Sequence, residues 1–155
     1  MKINNLTTSP SFGSIKILEG GEKFLKQNDP NDFDIIMKAK DEFANSKWDL
    51  EIGENGYFLT NSENKKTYSG PFTVKRHTRK HFLNPKITSQ RILVNMKHGD
   101  KTTCYSIACS DEYVKEKVYQ IIKRSKGAEK MLNIYRALES PCINLIKKGK
   151  RTQIK

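Results

Sequence analysis

The densest run of chemically capable side chains is Lys75-Arg76-His77-Thr78-Arg79-Lys80-His81. Its cations and imidazoles suit phosphate oxygens, because each neutralised phosphate releases condensed counterions. Read as a strand, the run places Lys75, His77, Arg79 and His81 on one face. Phe72, Val74, Arg76, Thr78 and Lys80 share the other. Such a strand can pack a core only through Phe72 and Val74, so its far half must project from the sheet. Arg91 and Lys97 lie in and beside the next apolar segment. The candidate anion-binding residues are therefore Lys75, Arg76, Arg79, Lys80, Arg91 and Lys97. Only six of the 29 basic residues are Arg, so bidentate base reading is weak and backbone contact is the expected mode. The bland reading is an edge strand whose lysines discourage aggregation. Among nearby aromatics, Tyr57, Phe58, Tyr68, Phe72 and Phe82, exposed rings would stack on bases, whereas Phe58 and Phe72 read as core.

Other chemistries find little support. His77 and His81 have the i, i+4 spacing of helical metal ligands, but they sit in an extended context among cations that repel Zn²⁺. Cys104 and Cys109 lack zinc-knuckle spacing and read as small core residues. No metal and no cofactor is expected. No nucleophile context surrounds His77, His81 or His98, and Gly20–Gly21 is only a pair, not a phosphate loop. The reading leans against an enzyme. Three cysteines without regular spacing argue against a disulfide framework and for a reducing, cytoplasmic setting. Met1–Pro10 has no secretory h-region, and no stretch approaches the ~18 apolar residues of a membrane span.

The charge is uneven. The chain has 155 residues and a formal net charge of +12. Residues 1–64 hold 7 basic and 11 acidic groups, 65–101 hold 10 and one (Asp100), and 102–155 hold 12 and 5. An abundance of Lys, Asn and Ile is what an AT-rich coding sequence gives, so part of the total is composition. Composition alone does not drain acids from the middle of the chain.

The elements that position these residues follow from periodicity. A polar arm is expected at 1–11, one α+β domain at 12–140 and a basic tail at 141–155. Ile15 and Ile17 suggest a short N-terminal strand, followed by one or two helices between Glu22 and Ala44. Period-two alternation from Trp48 onward and turns at 53–56, 61–66 and 98–101 predict about five antiparallel strands in meander order. Ser110-Asp111-Glu112 forms an N-cap with acids in the first turn of a helix whose pattern continues past Gly127 to Leu138, predicting a long C-terminal helix, kinked or divided at Gly127, across one sheet face. Its interleaved lysines also admit contact with an acidic membrane surface.

The leading expectation is a non-enzymatic module whose basic sheet surface contacts nucleic acid or an acidic protein. A second reading is a small-molecule or enzymatic domain with a pocket between sheet and C-terminal helix, lined by Ile92, Val94, Ile107, Val118 and Ile122. A third is a protein-interaction module of no chemistry, with its charge spread evenly.

Overall fold

The computed structural model describes residues 14–44, 46–109 and 111–139. The expected arm at 1–11 and tail at 141–155 lie outside the described residues. The fold is α+β: a six-stranded sheet with helices before and after the meander.

In β2 (Trp48–Gly53), Trp48, Leu50 and Ile52 are buried while Asp49 and Glu51 are half-buried. That alternation gives the sheet one apolar face. The chain turns through Glu54–Asn55 into β3 (Gly56–Asn61), where Gly56 takes φ +127°, a conformation open mainly to glycine. The meander continues through β4 (Thr67–Lys80), β5 (Thr88–His98) and β6 (Lys101–Ser106). Along β4 the register shifts between Ser69 and Thr73, and the Gly70–Pro71 peptide is cis. The short β1 (Ile15–Ile17) pairs parallel to β2, the one parallel pairing in the sheet.

Helices α1 (Gly21–Asn28), α2 (Asp32–Ala39, then a 3₁₀ turn at Lys40–Phe43), α3 (Glu112–Arg124) and α4 (Gly127–Glu139) complete the domain. Their apolar stripes, including Leu25, Ile36, Val118, Ile122, Leu132 and Ile134, join Leu50, Leu59, Ile92, Val94 and Met96 in one core. Tyr135 of α4 reaches through it to donate to the Trp48 carbonyl.

Of the two forms open to the C-terminal helical stretch, kinked or divided at Gly127, the structure has the divided one, two helices of 13 residues each in place of one long helix. The break has a local cause. Ser125 N–H closes α3 on the Ile121 and Ile122 carbonyls, and Gly127 takes φ +58°. Asp32, buried at the start of α2, accepts the Ala128 N–H and so caps α4 from another helix. A Cβ at Gly127 would stand 2.6 Å from the Asp32 Oδ2.

The cysteines also depart from expectation. Cys104 is exposed, its Sγ donating to the Asn95 Oδ1 at 2.7 Å. Period-two alternation explains this, since Tyr105 takes the core-facing side of β6. Cys109 packs partly buried against the core, as expected of a small core residue, and is disulfide-bonded, a pairing that the irregular spacing did not signal.

Candidate nucleic-acid interface

Strands β4 and β5 outrun the rest of the sheet. β3 pairs with β4 only from Thr67 to Ser69, and the pairing of β6 with β5 ends at Leu93. The Ile92 carbonyl still accepts the Ile107 N–H at 2.9 Å, and from Arg91 outward β4 and β5 pair only with each other, through His77↔Arg91, Thr78↔Gln90, Arg79↔Ser89 and Lys80↔Thr88. The result is a two-stranded ribbon of about 14 Å at ~3.4 Å per residue. Lys75–Lys80 is paired on one side only, by β5, so its other edge is open and lysine-lined, as the bland reading of a charge-protected edge strand had it.

Residues directly opposite in an antiparallel pair share a face. Lys75, Arg79, Arg91 and Lys97 therefore line one face, with His77 among them, continuing into the sheet face opposite the buried Ile92, Val94 and Met96. On that same face, away from the ribbon, β2 carries Asp49 and Glu51. Lys80 stands on the ribbon's other face. From Lys65 to Gly99 the chain has no acid.

Arg76 is placed differently from the other five candidates. It follows Phe72 and Val74 on the core-facing side, where α3 passes. Its guanidinium pairs with Glu116 and lies 4.7 Å from the Tyr119 ring centroid. The Gln120 amide first, and then Arg76, hold the Glu116 carboxyl below the usual glutamate range. One helical turn earlier, the Glu112 Oε1 accepts the Gln90 N–H at 2.8 Å. Lys115 and that amide keep Glu112 ionised to lower pH than usual. Two acids of α3 therefore clamp the base of the ribbon. Sequence reasoning missed this; the available signal was Glu112 and Glu116 at i, i+4 on a helix predicted to cross the sheet.

The tip spans residues 81–87. His81 N–H donates to the Ile87 carbonyl at 2.8 Å, and Ile87 N–H to the Asn84 carbonyl at 2.9 Å. The His81 Nδ1 accepts from the amides of Leu83 and Asn84 at 3.2 and 3.3 Å. The Asn84 Oδ1 accepts the Lys86 N–H in an Asx turn. On this hydrogen-bonded loop, Phe82 is 93% exposed, Leu83 80% and Ile87 55%. A cleft of about 390 Å³ lies beside Arg79, Lys80, Phe82 and Ile87. Of the aromatics near the basic run, Tyr68 and Phe72 are core and Tyr57 and Phe58 half-buried, leaving Phe82 as the exposed ring. Leu83 and Ile87 were not singled out from sequence, although the Phe-Leu-Asn-Pro order puts apolar residues beside a turn.

The pocket expected between sheet and C-terminal helix is filled. Ile92, Val94, Ile107, Val118 and Ile122 are each at most 3% exposed and belong to the packed core. A cavity of about 630 Å³ lies instead where β4 leaves β3, beside Phe24, Tyr57, Phe72, Lys130 and Met131. Burial and the Asp32 charge push the Tyr57 phenol well above its ordinary range, so it stays neutral there. Among the described residues no group of three His, Cys, Asp or Glu could hold a metal ion, and no helix is long and apolar enough to cross a membrane. Comparison with protein-family models, curated proteins and solved structures finds no match to this chain.

Proposed function

We propose that this protein is a non-enzymatic binding module whose β4–β5 ribbon holds the phosphate backbone of nucleic acid. The observation that carries the reading is the ribbon itself: it outruns the sheet, bears Arg79, Lys80, Lys86 and Arg91 with Lys75 at its base, and has no acid of its own. Lys97 extends the basic row toward the body. Arg76, engaged by α3, positions the ribbon rather than contacting phosphate. Lysine-rich contact of this kind favours affinity over sequence specificity.

The test is fluorescence anisotropy on a 20-bp DNA duplex between 50 and 200 mM salt. Lys75, Arg79 and Lys80→Ala should weaken binding and flatten the log–log salt slope by about 3, close to one unit per lost phosphate contact. Lys23, Lys38 and Lys40→Ala removes the same charge from the helical side and should change it far less. Equal losses in the two variants would return the charge to composition and sink the reading.

A further inference from the structure

We propose that Phe82 and Leu83 form an apolar wedge that enters the base stack of duplex DNA while the ribbon grips its phosphates. This rests on the phosphate-binding reading above. The starting point is that two large apolar side chains, 93% and 80% exposed, stand together at the far end of the most basic element in the molecule. Single exposed apolar residues are ordinary. Here Ile87, at 55%, stands on the same loop.

The tip is built to hold them out. Its backbone amides at Leu83, Asn84, Lys86 and Ile87 are all taken by acceptors within residues 81–87. A loop closed on itself presents side chains at a lower ordering cost than a slack one. Proteins that kink duplexes insert Phe, Leu or Ile between base steps and hold the flanking phosphates with cations. Lys80 and Lys86 flank this tip, and Arg79, Arg91 and Lys75 follow along the ribbon. A two-stranded ribbon also fits a B-form groove.

The placement of charge decides between DNA and an anionic membrane. A membrane loop sinks its apolar end about 5–10 Å and uses cations at that one level. Here Arg91 and Lys97 stand on one face of β5 about 20 Å apart along the strand, with Leu93 and Asn95 between them. That exceeds the Debye length of roughly 8 Å within which surface phosphates are felt. A polyanion lying along the ribbon meets every one of these groups; a plane touching its tip does not.

The experiment compares wild type with Phe82→Ser/Leu83→Ser on two 20-bp duplexes, one fully paired and one with a central mismatch beside 2-aminopurine. A mismatch lowers the cost of unstacking, so wild type should bind it about tenfold tighter and raise the 2-aminopurine fluorescence. The variant should keep its melting temperature, bind both duplexes alike and leave the fluorescence flat. Equal binding by wild type with flat fluorescence overturns the wedge and leaves phosphate binding standing. No duplex binding by either protein overturns both. Wild-type retention on vesicles of 30% phosphatidylserine that the variant loses, with flat 2-aminopurine, makes the tip a membrane anchor and overturns the wedge.

Discussion

The two halves of the β4–β5 hairpin share one antiparallel ladder and have opposite fates. In the near half, Phe72 is buried and Val74 partly so, and Val94 and Met96 opposite are sealed beneath the helices. In the far half, Thr78, Arg79, Lys80, Thr88 and Ser89 stand in water. Strand pairing is common to both, so pairing does not decide burial. What decides it is the side-chain sequence together with the reach of α3. The helix begins at Glu112, and its first two turns meet the hairpin at Gln90 and Arg76. Past those residues no apolar side chain faces the helix layer, and the ribbon continues on backbone hydrogen bonds alone. The near half is therefore a structural support and the far half a presented surface.

The sharpest way to break this contrast is truncation at the boundary. Ile92, 1% exposed and opposite Arg76, is the last sealed residue before the ribbon. Ile92→Ala should cost about 2–5 kcal/mol in denaturant unfolding, the range for a buried large-to-small change. A cost below about 1 kcal/mol would move the boundary inward and make the ribbon longer than described.

Alkaline titration probes the near half. Tyr68 is buried, and its hydroxyl meets that of Tyr105 at 2.8 Å. Burial, then the Tyr105 hydrogen bond, push the Tyr68 phenol from its ordinary 10.0 up to about 12. A group raised in the folded state supports the fold fully below its unfolded pKa and loses that support as pH rises through the folded one. Stability should thus fall between about pH 10 and 12. Tyr68→Phe should remove this component and cost about 0.5–1.5 kcal/mol at neutral pH, as for one hydrogen bond. Absorbance at 295 nm and denaturant midpoints at each pH check both.

Much of the fold was legible because it rests on local rules. Period-two alternation in Trp48–Ile52 and the Gly53–Gly56 turn gave the first hairpin, and the exhaustion of apolar residues after Val74 gave the projecting half. The illegible parts depend on partners distant in sequence. Nothing in the 111–139 pattern says that Asp32 will cap Ala128 and divide the helix. Likewise Arg76 looks like its basic neighbours until Glu116, forty residues on, claims it. The N-terminal end of β5 is illegible for the same reason: Thr88, Ser89 and Gln90 have no apolar signal, and they are strand only because β4 lies opposite.

The boundary itself responds to acid. Glu112 and Glu116 are held below the ordinary glutamate value of 4.5, Glu112 chiefly by Lys115 and then the Gln90 amide, Glu116 chiefly by Gln120 and then Arg76. Groups lowered in the folded state support it above their unfolded pKa and lose that support as pH falls through the folded one. The Gln90 amide resonance should therefore shift with a midpoint below 4.5, and Glu112→Gln should abolish that shift. A Gln90 resonance indifferent to both would mean that α3 does not hold the ribbon's base. Arg76→Ala should lose its cation–π contact with Tyr119, about 0.5–1 kcal/mol, and reduce DNA affinity less than Arg79→Ala does.

The smallest expected effect is at the tip. Phe82 buries almost nothing in the folded protein, so the unfolded chain has little more of it to expose. The transfer term that dominates at Ile92 is then absent, and no cavity can open. Phe82→Ser should change stability by no more than about 0.5 kcal/mol, the spread of ordinary surface substitutions. The comparison needs this near-zero value as much as the large one at Ile92, because the two changes remove similar apolar surface from the same hairpin. If Phe82→Ser destabilises by ~2 kcal/mol, as for a buried large side chain, the ring is covered in solution and the far half is not a presented surface. If the change is silent in unfolding yet weakens binding to mismatched DNA, the same side chain is structurally idle and functionally engaged, and that separation is what divides the two halves of the hairpin.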